Sequence, residues 1–376
     1  MHQQLDIKLS YKVFFETDIF SLPQKDFWKA ILPENLRTNT VVFIDSGVTD
    51  AFPFIAEKIH KWSAENLNSL SFPYILKGGE EVKNDFKIIE TIGKIAIENS
   101  ICRHSYFIII GGGAFLDAVC FAASIIHRGI RQIRIPTTVL AQNDSGLGVK
   151  NAINYFDIKN FFGTFYPPYA VVNDKSFLTG LQMRDWISGI AEAFKVAIIK
   201  DKTFLYFLVK SGDAILKRDL NVMEKIVRRC AELHLNHIAS AGDPFETGSS
   251  RPLDFGHWVA HKLETMSNGQ LRHGEAVAIG MTIDLFSAHK MGLISSEELH
   301  LVLNAMQSNG LKLWSDLLLK KDNNGNYIFI EGLAEFREHI GGELTLIMPN
   351  GLGKMKNIHK MPKKLIEESI QQMQQL

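Results

Sequence analysis

The sequence predicts an α/β chain in two parts: a doubly wound, Rossmann-like N-terminal domain over residues 1–179 and a mainly α-helical C-terminal domain over residues 180–376. Three observations carry this. A length of 376 residues suggests two domains more readily than one, and 46% apolar residues can supply two cores. The first half alternates short β-rich runs with amphipathic segments, the pattern of a sheet wound with helices. From about Gly180 onward, apolar residues recur at three- and four-residue spacing, the period of a helix.

Within the first part, "TVVFIDSG" (Thr40 to Gly47), "SYFIIIGGG" (Ser105 to Gly113), "IRQIRIPTT" (Ile130 to Thr138) and "YAVVND" (Tyr169 to Asp174) are apolar runs bounded by Gly, Pro, Asp or Asn. Such runs are the signature of strands buried on both faces of a parallel sheet. Helical patterns fill "EEVKNDFKIIETIGKIAIENS" and "FLDAVCFAASIIHRG" between them. In the second part, "MRDWISGIAEAFKVAIIKD", "VMEKIVRRCAELHLNHIASA", "GHWVAHKLETMS", "HGEAVAIGMTIDLFSAHKMG" and "SSEELHLVLNAMQSNG" read as helices, with "NNGN" marking a turn in a polar loop.

Composition excludes several functions. Lys plus Arg and Asp plus Glu both number 41, so no overall field draws the chain to nucleic acid or to an acidic membrane surface. Cys102, Cys120 and Cys230 are far apart, which argues against a disulfide framework and reads most simply as buried small hydrophobes in a reducing compartment. The first twenty residues lack a secretory or transit pattern. The longest apolar runs, such as "AVCFAASII", fall well short of the roughly 20 residues a membrane helix requires. A cytoplasmic protein is expected.

Four stretches carry chemistry. In "IIIGGGAFLDAV" a strand, a glycine-rich turn and a helix start allow backbone N–H groups to approach a phosphate; the pattern is not G-x-G-x-x-G, and a tight turn is the plain alternative. Asp45, just after an early strand, suits a ribose hydroxyl or a helix cap equally. The segment from Thr137 to Asn160 gathers amides, hydroxyls, Asp144, Lys150 and Lys159 beyond the carboxyl end of a strand, where open α/β sheets bind ligands. It is read as a long functional loop suited to a phosphorylated, hydroxyl-rich substrate.

"SGIAEAFKVAII" puts Glu192 and Lys195 on one helical face among apolar neighbours, where buried charges need partners or a metal. "DFGHWVAH" places His257 and His261 on one face, with no Glu after the first His as in zinc proteases. They fit a chelating pair, one ligand with a helper, or two core histidines. His273 opens the next helix, and Glu192, His257 and His273 together make a carboxylate-plus-two-imidazole set suited to zinc or a similar ion.

"GGGAFLD", "HRGIRQIRIPTTVLAQNDSGLGVKNAIN", "KNFFGTFYPP", "SGIAEAFK", "FGHWVAH" and "HGEAVAIGM" follow the order and spacing of one family. The chain resembles the 3-dehydroquinate synthases and their relatives, the sugar phosphate cyclases. The resemblance implies an N-terminal NAD-binding domain, a C-terminal domain holding a divalent metal, zinc or cobalt, and an active site between them in a homodimer. It implies metal ligands at Glu192, His257 and His273, with His261 near a substrate phosphate. Lys150, Asn160 and Arg128 match phosphate contacts, Arg128 reaching a neighbouring subunit. Asp144 and Lys195 match residues that hold substrate hydroxyls. Asp45, Glu80, Lys83, Gly112, Gly113, Asp117, Thr137, Thr138 and Lys159 match the NAD site. The implied reaction uses NAD without net oxidation: a carbinol is transiently oxidised, phosphate is eliminated, the hydride returns, and an opened ring closes by an intramolecular aldol step.

The departures concern the substrate. Dehydroquinate synthases meet a carboxylate with an Arg seven residues before the first metal His, a Lys twenty-one before it and a Lys near the C-terminal strand; here these positions hold Ser250, Asn236 and Glu338. The family Asn three residues before that His is Asp254. Neutral and acidic groups in place of cations disfavour a carboxylate. Arg251, beside Ser250, restores a cation only if the loop shifts, and Pro252 restrains it. The expected substrate is a neutral C7 ketose phosphate, sedoheptulose 7-phosphate, converted to a cyclitol. The alternatives are 3-dehydroquinate synthase itself, a metal-dependent polyol dehydrogenase, and a non-catalytic binding relative.

Overall fold

In the computed structural model the chain divides into two units, Met1–Leu181 and Gln182–Leu376. The structure describes all residues except 1, 5–8, 22–24, 33–38, 68–71, 157, 241–244, 246–251 and 340–341. The first unit carries β1 (Lys12–Glu16), β2 (Thr40–Asp45), β3 (Tyr74–Leu76), β4 (Tyr106–Gly111), β5 (Arg131–Pro136), β6 (Lys150–Tyr155), β7 (Ile158–Phe165) and β8 (Ala170–Asp174). Six of these form one sheet in the order β1-β8-β5-β4-β2-β3, parallel at every pairing.

Alternation explains why this sheet is covered twice. On β2, Val42 and Ile44 join one apolar cluster with Ile59, Trp62 and Trp28, while Val41 and Phe43 join another with Ile92, Ile95 and Leu116. β4 divides in the same way, Ile108 and Ile110 against Phe107 and Ile109. Each face therefore needs its own layer of helices, and each fully buried Ile or Phe contributes about 1.5–3 kcal/mol. From β2 the chain runs to β3 on one side and then returns to β4 on the other, so the direction of winding reverses between β2 and β4. The crevice at the carboxyl ends of those two strands is where such sheets accept ligands.

Several expectations change. The long functional loop after β5 is in part a hairpin, with β6 and β7 antiparallel from Lys150↔Phe165 to Tyr155↔Ile158. Its polar residues obscured a strand content supplied by Ile153, Tyr155, Phe161 and Phe162. The helical pattern after Gly79 breaks into a short turn, Glu80–Asn84, and a helix, Lys87–Glu98. Cys120 and Cys230 are buried, but Cys102 is exposed, because it lies in a surface turn closed by Ser105 N–H donating to the Cys102 carbonyl.

An unforeseen residue joins the hairpin to the sheet. Arg134, at the centre of β5 and 1% exposed, donates to the Gly148 carbonyl at 2.7 Å, to Asn151 Oδ1 at 2.8 Å, to Gln132 Oε1 at 3.0 Å and to the Tyr166 carbonyl at 3.1 Å. Arg134→Met leaves these buried acceptors without their donor. At about 1–3 kcal/mol for each group stranded, the full-length chain is expected to lose several degrees or more in thermal midpoint. An unchanged midpoint by calorimetry would show that water replaces the guanidinium.

The second unit is mostly helical. Its His273–Lys290 helix is buried on nearly every side and packs against Ile190–Lys200, His257–Met266, Ser296–Ser308 and Lys363–Met373, so it is apolar all round rather than striped. β9 (Leu346–Pro349) and β10 (Met355–Ile358) form a small antiparallel hairpin. No helix among the described residues is long and apolar enough to cross a membrane.

Candidate functional site

In the second unit, Glu192 and Lys195 lie on the Ile190–Lys200 helix, His257 opens His257–Met266, and His273 opens His273–Lys290. Gly274 permits the His273–Lys290 helix to approach the end of the Met183–Ser188 helix that leads into Ile190–Lys200, since a Cβ there would lie 1.9 Å from the Ser188 carbonyl oxygen. Ligand atoms of Glu192, His257 and His273 come within 4.8 Å of one another. Glu192 Oε1 is 3.9 Å from His257 Nε2 and 3.7 Å from His273 Nε2. Ligands about 2.0–2.1 Å from one tetrahedral zinc lie roughly 3.3 Å apart, so this spacing suits a single small divalent ion.

The far side of each imidazole decides its tautomer. His257 Nδ1 donates to the Phe255 carbonyl at 3.1 Å, and His273 Nδ1 donates to Glu264 Oε2 at 3.1 Å. With the proton on Nδ1, both Nε2 lone pairs face Glu192, the arrangement a metal requires. Glu192 divides its oxygens, Oε1 toward the histidines and Oε2 paired with Lys195 Nζ, both side chains almost fully buried. Burial, then the Lys195 charge, hold the His257 pKa well below its ordinary value and keep it neutral. At His273 burial is the largest single influence and lowers the pKa, but the Glu264 and Glu192 carboxylates together outweigh it and raise the pKa, so an ion there competes with a proton for Nε2. The spacing and the engaged Nδ1 protons make the donor set fit a divalent ion.

His261, Glu264 and His273 form a second grouping within the same reach. Glu264 already accepts the hydrogen bond from His273 Nδ1–H, so it acts there as an orienting acceptor. His261 lies beside the set, its ring 5.5 Å from that of His257 and 6.1 Å from that of His273. Asp254 ends the Pro252–Asp254 turn just before this helix. Asn236 and Glu338 are exposed on Leu220–Ser240 and Gly332–His339. Ser250 and Arg251 lie outside the described residues.

In the first unit, the strand ends at the winding reversal gather Asp45, Gly112, Gly113, Thr137 and Thr138. Asp45 caps the helix after β2 by accepting from Gly47 N–H at 2.8 Å. Burial raises its pKa, although hydrogen bonds from the Gly47 and Gly112 backbones oppose this. Gly112 precedes the Gly113–Ile125 helix, and Thr137 N–H donates to the Gly111 carbonyl at 3.0 Å. Thr138 Oγ1 accepts from Ala141 N–H at 3.1 Å at the start of the π-helical turn, Ala141–Ser145, that holds Asp144.

A second group ties this face to the hairpin. Lys83 Nζ donates to Asp117 Oδ2 at 2.7 Å and Asn160 Oδ1 at 2.5 Å, and Lys159 Nζ lies 3.5 Å from Glu80 Oε1. Burial raises the Asp117 pKa against the pull of Lys83. Asn160, matched by resemblance to a substrate phosphate, thus adjoins residues matched to the NAD site. Its positive φ of 53° is held by Asn154, whose Oδ1 accepts from Asn160 N–H at 2.9 Å. Lys150 opens β6, and Arg128, with φ of 65°, is exposed after the Gly113–Ile125 helix. Glu264 and Arg134 were missed in the sequence, whereas Asn154 lay among the amides of the polar segment without a role of its own. Glu264 left a signal, standing seven residues after His257 and so on the same helical face.

A doubly wound sheet with a glycine-rich strand end, and a helical unit presenting a carboxylate and two imidazoles, mark a class of two-unit metalloenzymes. Family models for the N-terminal and C-terminal parts of 3-dehydroquinate synthase match residues 73–188 and 189–328. A 3-dehydroquinate synthase of Thermodesulfovibrio yellowstonii is 32% identical over 286 residues, 76% of this chain and 77% of that protein. The chain belongs to the 3-dehydroquinate synthase family. In fold it is similar to 2-epi-5-epi-valiolone synthase from Streptomyces hygroscopicus subsp. jinggangensis 5008, solved with NAD+ and Zn2+ bound, at TM-score 0.88 and 24% identity over 100% of this chain and 99% of that one. It is also similar to a 2-deoxy-scyllo-inosose synthase complexed with carbaglucose-6-phosphate, NAD+ and Co2+, at TM-score 0.77 and 24% identity over 96% of each chain.

Proposed function

We propose that this chain is an NAD- and metal-dependent sugar phosphate cyclase that converts sedoheptulose 7-phosphate to a cyclitol with elimination of phosphate and no net oxidation. The observation that carries the substrate choice is Asp254, an acidic group on the turn leading into His257, where family members that take a carboxylate have Asn. Asn236 and Glu338 add no cation to replace those missing.

Glu192, His257 and His273 hold the metal, and Asp45, Gly112, Gly113, Thr137, Thr138, Glu80, Lys83, Asp117 and Lys159 serve the NAD. When bound, the nucleotide supplies a hydride acceptor and the ion a Lewis acid for the reacting oxygens. The N-terminus of Gly113–Ile125 favours the anionic pyrophosphate. Asp45 accepts hydrogen bonds from ribose hydroxyls, Lys195 and Asp144 orient substrate hydroxyls and move their protons, and Lys150, Asn160, Arg128 and His261 receive the phosphate. A cytoplasmic homodimer is part of this reading. The hairpin leaves Phe156 71%, Ile158 52% and Phe161 46% exposed, an apolar surface that a second copy would cover.

The test supplies the metal-loaded protein and NAD with sedoheptulose 7-phosphate, the carboxylated C7 substrate of dehydroquinate synthase, or glucose 6-phosphate, and measures phosphate release. Release from the first alone is expected. Release from the carboxylated substrate alone would replace this reading with 3-dehydroquinate synthase, which the 32% identity to a member of that name favours.

A further inference from the structure

We propose that Asp284 is a positioning residue for the metal centre, gripping from one ligand-bearing helix the turn through which the other delivers His257. The proposal rests on the reading of Glu192, His257 and His273 as metal ligands. His273 opens the His273–Lys290 helix, and Asp284 lies three turns further along it, 1% exposed. Its Oδ2 accepts from Gly256 N–H at 3.0 Å and its Oδ1 from Trp258 Nε1–H at 2.9 Å. These donors belong to the two residues flanking His257, so one carboxylate holds the backbone on one side of the ligand and the side chain on the other.

Packing reinforces the grip. Gly256 caps the His257–Met266 helix in the left-handed conformation, φ 79°. A Cβ on Gly280, one turn before Asp284, would lie 2.0 Å from the Gly256 carbonyl oxygen, and one on Gly256 would lie 2.7 Å from Met281 N. The two backbones therefore touch at this point, and Asp284 sets their register. The same turn carries the Phe255 carbonyl that fixes the His257 tautomer. Burial pushes the Asp284 carboxyl up to about 7, against the hydrogen bonds from Trp258 and Gly256. A carboxylate kept where burial disfavours its charge is an expensive means of packing alone, whereas two convergent acceptors on a rigid helix are a direct means of holding a ligand in place.

Asp284→Asn keeps the shape but turns an amide N–H toward one of the two donors. The Zn2+ dissociation constant, measured by chelator competition, is expected to rise about 10–100-fold with helical content retained. Trp258→Phe removes one donor and lets the Asn carbonyl face Gly256, so the double variant is expected to recover most of the affinity. Leu303→Ala, a core change in Ser296–Ser308, is the control for destabilisation and is expected to leave zinc affinity unchanged. Wild-type affinity in Asp284→Asn would overturn the proposal, as would a loss that Leu303→Ala reproduces. Should Asp284→Asn fail to fold, hydrogen exchange on the unaltered protein decides: zinc is expected to slow exchange at Gly256 by linkage, and unchanged exchange refutes the coupling. Failure of the wild-type protein to bind zinc would instead remove the metal reading and this proposal with it.

Discussion

His257→Ala is expected to abolish retention of a divalent metal, whereas His261→Ala retains the metal and loses most turnover. The two histidines stand one turn apart on one helix, and His257 points its Nε2 at Glu192, 3.9 Å from Oε1, with its Nδ1 proton engaged by the Phe255 carbonyl. Deleting it removes one of the three proposed ligands, and the loss should exceed the 10–100-fold typical of changes behind the ligands. His261 sits beside the set, its ring 5.5 Å from that of His257, and its proposed role is at the substrate phosphate. Metal content after dialysis, measured beside phosphate release, separates the two variants. Equal metal loss in both would show that the assignment of His257 alone of the two as a ligand is wrong, and loss in His261→Ala only would point to the grouping of His261, Glu264 and His273.

Why the fold was readable and the centre less so follows from the range over which each signal acts. The runs in β2 and β4 are buried on both faces, so their apolar continuity and their Gly and Asp boundaries were visible locally. The β6–β7 hairpin was not, because its amides and lysines interrupt the alternation and its aromatic residues face outward, Phe156 among them. The spacing of Glu192 and Lys195 disclosed a shared face, and the structure pairs them. That His257 and His273 meet the same carboxylate depends on helix packing across some eighty residues of chain, which no local period encodes; family resemblance supplied it. Asp284 is the instructive omission. A lone carboxylate within "AVAIGMTIDLFSA" is a sequence-level sign of a buried charge with a task, although its partners, Gly256 and Trp258, appear only in three dimensions.

Lys195→Met is expected to behave in the opposite way to His257→Ala, holding metal at least as firmly as the wild type while turnover falls by about 10²–10⁴-fold, the contribution typical of a positioned proton-transfer group. Lys195 pairs with Glu192 Oε2, the oxygen turned away from the histidines, and the side chains are 3% and 1% exposed. The ammonium thus neutralises the same carboxylate that an ion would engage through Oε1. Without it, Glu192 carries a buried charge, and losing one partner of such a pair costs about 3–5 kcal/mol. That cost falls mainly on the metal-free protein, because a divalent cation restores the compensation. The thermal midpoint of the variant should accordingly drop without metal and recover more on metal addition than the midpoint of the wild type. Two measurements then assign the lysine its role. A large loss of turnover with metal retained places Lys195 at the substrate; loss of metal together with turnover would show instead that the ammonium serves to hold Glu192 in its ligating position.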